Sequence, residues 1–156
     1  MGDRLTNEEV VRRYASVSAA SDLAGLAGLR HPEWSVTWPQ SGEQVRSHEA
    51  FAEIVRNYPG GSPRTELTCV VGTEDRWLVT PSNTIVRVAG SGDFWWCEWS
   101  MTYPDGRSYL CVDLLELRDG LIRHEIVYWA APFDAPDWRT PWVERAADSG
   151  PHDASP

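Results

Sequence analysis

The groups in this chain whose types and settings could do proton chemistry are Asp113, Glu125 and Glu98, the phenol of Tyr14 and the imidazole of His124. Asp113 stands alone in the apolar run Ser-Tyr-Leu-Cys-Val-Asp-Leu-Leu-Glu-Leu from Ser108 to Leu117. A carboxyl group among Leu, Val and Cys is costly unless it is paired, hydrogen-bonded or kept protonated. If Asp113 shares a dry cavity with Glu125 and Glu98, the carboxyls cannot all ionise cheaply. One becomes an acid near neutral pH and another stays a base. Such a pair suits cofactor-free proton transfer: isomerisation, dehydration, aldol-type cyclisation or epoxide opening. Tyr14 would donate to a developing oxyanion. Plainer roles stand beside these. Asp113 could make a buried structural hydrogen bond, Glu125 and Glu98 could pair with arginines on a solvated face, and Tyr14 could be a core tyrosine. An acidic pocket lined with Trp could also hold an amine by ring quadrupoles and carboxylates together.

The elements that must position these groups start with a hairpin. Two runs rich in β-formers flank Arg118-Asp119-Gly120, and Asp-Gly is a strong turn signal. A two-residue loop would set Asp113 opposite Ile126 and Leu115 opposite His124, whereas a three-residue loop would set Asp113 opposite Glu125. One residue of slip therefore exchanges Glu125 for His124 at the pocket.

Upstream, Thr6-Asn7-Glu8-Glu9 is a capping box, and a helix should run to about Ala20 with Val10, Tyr14 and Val17 along one stripe. Asp22 can cap a short second helix with Leu23, Leu26 and Leu29 inward. Glu33 to Trp38 alternates like a strand, with Trp34, Val36 and Trp38 on one face and Pro39 ending it. Ser47 caps a third helix to about Asn57, with His48 in its first turn expected to be solvated. After the breaker Pro59-Gly60-Gly61-Ser62-Pro63 the period becomes that of strands: Thr65–Val71, Arg76–Thr80, Thr84–Val88 and Phe94–Tyr103, then the hairpin. The predicted class is α+β: a curved antiparallel sheet wrapped on three N-terminal helices, bent into a cone with an internal pocket. A single domain is expected over 1–145, in which 130–145 form an aromatic arm over the body, the pocket mouth or a dimer partner. The tail 146–156 is expected to be disordered.

Composition excludes some partners. The 156 residues carry 14 basic and 23 acidic side chains, net −9, which argues against nucleic acid and anionic membranes. No N-terminal apolar run follows Met1, so a cytoplasmic location is expected. Cys69, Cys97 and Cys111 lie in strand-like runs and read as buried thiols. The four His are scattered without metal-ligand spacing, so neither metal nor cofactor is expected.

From about Glu9 to Trp129 the chain resembles the SnoaL-like and ketosteroid isomerase-like proteins of the nuclear transport factor 2-like superfamily. The likeness rests on Arg13-Tyr14, Ser21-Asp22-Leu23, Val36-Thr37-Trp38-Pro39 with the Gly42 turn, His48-Glu49, and the Asp113 strand with its Asp-Gly turn and terminal Tyr128-Trp129. It implies that Tyr14 and Asp113 occupy the oxyanion-hole positions of the isomerases. The position of their general base, just before a Pro, holds Trp38, so a ketosteroid isomerase is not implied. The resemblance also places Glu125 in the cavity, which favours the three-residue loop, and lines that cavity with Trp96, Glu98, Tyr109, Cys111, Val127 and Trp129, with Trp38 as a further wall. It implies a homodimer through the outer sheet face. The expected activity is acid–base catalysis on a small apolar, polyketide-like molecule. The alternative is a non-catalytic binding or accessory protein.

Overall fold

A computed structural model describes residues 4–72, 77–79, 85–87, 92–134 and 136–144, leaving aside the side chains of 66–72, 77–79 and 85–87. The expected tail and the Cys69 side chain lie outside the described residues.

Helix α1 (Asn7–Ala19) begins at the capping box. Thr6 accepts from the Glu9 amide, and the Glu9 carboxylate accepts from the Thr6 amide. Val10, Val11, Tyr14 and Ala15 form its buried stripe. Asp22 caps α2 (Leu23–Leu29) through the Gly25 amide, and Ser47 caps α3 (His48–Arg56) through the Ala50 amide. Among the described residues, no helix is long and apolar enough to cross a membrane.

The strands are β1 (Arg30–Trp38), β2 (Glu43–Val45), β3 (Arg64–Gly72), β4 (Trp77–Val79), β5 (Ile85–Arg87), β6 (Phe94–Thr102), β7 (Ser108–Arg118) and β8 (Leu121–Ala130). Six of them form one sheet in the order β2-β1-β8-β7-β6-β3, and β4 pairs with β5. β3, β6, β7 and β8 pair antiparallel, but β4 and β5 stand apart as their own pair and β1 lies parallel to β8, so the sheet is mixed rather than the antiparallel one expected. A long-range pairing of the first strand with the last leaves no local turn signal. The helices and the inward side chains of the sheet enclose one main core that includes Trp34, Val36, Trp95, Cys97, Trp99, Leu115 and Ile122.

The hairpin corrects the expected loop. Arg118 pairs with Leu121, so the loop is the two-residue Asp119-Gly120, both with positive φ (55° and 73°) as the tight hairpin turn requires. The next pair is Leu117 with Ile122, but Glu116 then pairs with His124, leaving Arg123 as an extra residue in β8. This β-bulge shifts the register by one. Asp113 therefore stands opposite Val127, and Leu115 opposite Glu125. The bulge returns Glu125 to the face of Asp113, although the two are diagonal rather than opposed.

After Ala130 none of the described residues of the aromatic arm lines the cavity. The arm forms a short 3-10 helix (Asp137–Trp142) with Phe133, Trp138 and Trp142 more than 70% exposed.

Candidate acid site in the cone

A cavity of about 290 Å³ lies between the helices and the concave sheet face. The alternation of β7 and β8 puts Cys111, Asp113, Glu125, Val127 and Trp129 in its lining, α1 adds Tyr14, and β1 adds Val36 and Trp38. Trp38 and Trp129 meet edge to face at 5.8 Å between centroids and form one wall.

At the deep end the polar groups form a continuous chain. Glu125 is 2% exposed. Its Oε1 accepts from the Trp34 indole N–H at 2.5 Å and from Arg30 Nε at 3.3 Å. Arg30 Nη2 is 3.2 Å from the same oxygen but lacks hydrogen-bond alignment. The Arg30 guanidinium lies over the rings of Trp34 and Phe51, 3.7 and 4.2 Å from their centroids, a placement that suits its planar, weakly hydrated cation. Its Nη1 is 3.0 Å from His48 Nδ1. That contact needs a neutral ring with its hydrogen on Nε2. Burial, and then Arg30, push the His48 pKa down, in keeping with a neutral ring.

The Tyr14 hydroxyl lies 2.5 Å from Glu125 Oε2 and 3.3 Å from Asp113 Oδ2. A phenol has one hydrogen, and the shorter contact takes it. Burial, then the Glu125 and Asp113 charges, push the Tyr14 pKa well above its ordinary value, so it remains a neutral donor. Asp113 is 3% exposed, and its Oδ1 is buried with no hydrogen-bond partner among the described residues. Burial, and next the Glu125 carboxylate, raise the Asp113 pKa well above the carboxylate range, outweighing Tyr14 and Arg30. The charge count agrees. Among the described residues Arg30 is the one cation in the lining; beside the exposed Glu43 the lining holds two buried carboxyls, and one of these matches Arg30. Glu125 makes the contacts of that carboxylate, and Asp113 is left as a neutral acid.

The structure brings Asp113, Glu125, Tyr14, Cys111, Val127, Trp129 and Trp38 together around this cavity. It does not bring His124, Trp96 or Glu98 there. The bulge turns His124 to the other sheet face, where its Nδ1 is 2.9 Å from Ser35 Oγ. In β6 the inward residues are Trp95, Cys97, Trp99 and Met101. Trp96 packs with Phe94, Val112 and Leu114 on the outer face, and Glu98 is exposed. Aromatics on both faces of β6 hide its alternation, which is why the carry-over slipped by one residue. Tyr109 stands behind Tyr103, with ring centroids 5.6 Å apart, rather than in the lining. Cys111 is buried, and desolvation followed by the Asp113 charge raises its thiol to about 11, which makes it inert.

Sequence reasoning missed Arg30, Trp34 as a hydrogen-bond donor, and His48. The signal for Arg30 was Glu125 itself, a carboxylate that needs a cation once it is placed inward. Trp34→Phe tests the cradle by removing the indole donor, along with part of the buried ring beneath Arg30. A hydrogen bond to a charged group is worth about 1.5–3 kcal/mol, and urea denaturation should show that loss. An unchanged midpoint would mean that the Trp34–Glu125 contact is not made.

No protein-family model matches the sequence, and no curated protein matches it. Solved structures do. An NTF-2 like protein of unknown function from Burkholderia xenovorans LB400 superposes with TM-score 0.68 at 26% identity, over 90% of this chain and 95% of that one. A putative ketosteroid isomerase from Kribbella flavida DSM 17836 gives 0.70 at 18%, over 92% and 91%. A protein with a ketosteroid isomerase-like fold from Catenulispora acidiphila DSM 44928, solved in complex with trimethylamine, gives 0.54 at 14%, over 80% and 86%. With helices leading into an open, curved six-stranded sheet, the chain belongs to the nuclear transport factor 2-like superfamily, with the fold of the ketosteroid isomerase-like proteins.

Proposed function

We propose that the protein is a cofactor-independent acid–base enzyme of the isomerase, cyclase, dehydratase or epoxide-opening type. Its substrate is a small, largely apolar molecule bearing an oxygen that accepts a proton or a strong hydrogen bond. The observation that carries this is Asp113: a buried carboxyl group lining an apolar cavity, with Oδ1 left without a protein partner. In this reading Asp113 is the general acid. As it gives up its proton, charge moves from the ligand oxygen to the aspartate. The Tyr14 hydrogen, within reach of both carboxyls, swings from Glu125 to the new carboxylate and stabilises it. Glu125, held by Trp34 and Arg30, anchors the network. Trp38, where the isomerases carry their base, leaves the base to water or to the ligand itself. The homodimer implied by the family stays part of this reading, through the outer face where Trp96 packs and Leu110 and Tyr128 are exposed.

A second reading, capture of an amine without turnover, is favoured by the trimethylamine bound to the Catenulispora protein and by the aromatic walls. Arg30 beside the carboxyls works against it. One experiment separates the two. Cyclic and aryl ketones are incubated in D2O, and deuterium uptake beside the carbonyl is followed by NMR. Acid catalysis predicts uptake above buffer for at least one ketone, lost in Asp113→Asn. Thermal stabilisation by alkylamines with no uptake from any ketone would replace it with the binding reading.

A further inference from the structure

We infer that Tyr58 and Tyr103 form a second polar subsite in the same cavity, which takes a hydroxyl or carbonyl oxygen at the far end of an elongated ligand. This rests on the proposed function only for what happens at the Asp113 end.

Both tyrosines line the cavity, and both are fixed at turns. Tyr58 directly follows the Asn57 cap of α3, and its carbonyl accepts from the Gly61 amide at 2.9 Å. Tyr103 closes the β6–β7 turn, its N–H donating to the Arg107 carbonyl at 2.8 Å and its carbonyl accepting from Gly106 at 2.9 Å. Their rings meet at right angles, 5.9 Å apart, and Tyr103 is braced from behind by Tyr109. The two phenols lie close enough to raise or lower each other's ionisation. Burial, then the Tyr103 phenol, raise Tyr58 to about 12, and burial raises Tyr103 too, so both stay neutral phenols with a hydrogen to donate. Together they set two neutral phenols, their rings 5.9 Å apart, at this end of the cavity, and Tyr103 is the one fixed by the β6–β7 turn.

Position sets the ligand's length. Tyr109 precedes Asp113 by four residues on β7, roughly 14 Å of strand, and Tyr103 packs on Tyr109. Between the two ends the walls are Met101, Cys111, Val127 and Trp129, which offer little to a polar ligand. The occupant this suits has an apolar body, often cyclic, with two oxygens on the order of 10 Å apart. A hydroxyaryl ketone is the simplest case. A ligand with one oxygen would leave the Tyr103 donor unused.

The test compares two probes by tryptophan fluorescence titration: 4-phenylcyclohexanone and 4-(4-hydroxyphenyl)cyclohexanone. The wild type should bind the phenol roughly 3–10-fold more tightly, the worth of one neutral hydrogen bond. Tyr103→Phe should erase that ratio, with the affinity for 4-phenylcyclohexanone and the melting temperature unchanged. Tyr58→Phe, which removes the neighbouring phenol of the subsite, should reduce the ratio in part. Asp113→Asn should alter both affinities alike and keep the ratio. Equal affinities in the wild type, a ratio that survives Tyr103→Phe, or no binding of either probe at millimolar concentration would overturn the subsite. If Tyr103→Phe erases the ratio while Asp113→Asn changes neither affinity nor deuterium uptake, the subsite stands and the acid-catalysis reading falls.

Discussion

Asp113→Asn should lower turnover by about 10²–10⁴, the usual contribution of one positioned acid, with little change in KM. Asparagine nearly matches the carboxyl in shape and still offers an N–H to a ligand oxygen, so binding survives. It has no proton to transfer. The wild type should lose activity as pH rises through the raised Asp113 pKa, because the acid form disappears. The variant's residual rate should show no such limb. Stability gives an independent check. A carboxyl whose folded pKa lies above its unfolded value, about 3.9, contributes stability that is fully present below that value and lost as pH rises through the folded pKa. Burial and the Glu125 charge set that direction for Asp113. Asparagine suffers no such loss. The variant should therefore gain on the wild type from about pH 4 upward, until the folded pKa is passed. Urea midpoints at a series of pH values measure this difference. A difference that does not change with pH would mean that Asp113 ionises in the folded protein as it does in water, and the acid role would go with it.

Some of this site was legible in the residues. An aspartate alone in a β-run that is otherwise apolar has few places to go, and Asp113 is buried on the concave face of the sheet. The capping box of α1, the Ser47 cap of α3 and the alternation of Trp34, Val36 and Trp38 place these three elements because they act within a few residues. The hidden parts depend on distant pairing. The turn at Asp119-Gly120 is local, but the bulge at Arg123 lies among contacts with β7 and with β1, the strand that supplies Glu33 to both Arg118 and Arg123. Nothing near Arg123 in the chain announces an unpaired residue. Arg30 sits at a helix–strand junction, and its place beside Glu125 follows from the parallel β1–β8 pairing, which joins segments 95 residues apart. In β6, Trp95, Trp96 and Trp99 supply apolar area to both faces, so alternation could not say which face held the cavity. Burial of a charge is decided by its partner, and the partner is often the least local fact in a fold.

Glu125→Ala should be the most destabilising change at the site, and it should also disable Asp113 without touching it. Removing one member of a buried ion pair costs about 3–5 kcal/mol, because the remaining charge stays buried without a counter-ion. In a domain of this size that is a fall of roughly 6–20 °C in melting temperature, read by calorimetry. Arg30 cannot escape to water easily. Its side chain is 2% exposed and it is packed over Trp34 and Phe51. The nearest remedy is the other buried carboxyl in the cavity. With Glu125 gone, the charge that chiefly opposed ionisation of Asp113 after burial is gone too, while Arg30 now lacks a partner. Asp113 should then ionise as the substitute counter-ion, and the descending limb of the pH–rate profile should move to lower pH. Replacing both partners, as Glu125→Leu with Arg30→Met, removes the pair together. It should cost less than the sum of the two single changes, since neither charge is stranded. It should also leave Asp113 protonated by burial alone and so restore the profile toward higher pH. Additive losses in the double variant, or a profile that ignores Glu125, would mean that Arg30 and the two carboxyls do not share one charge balance.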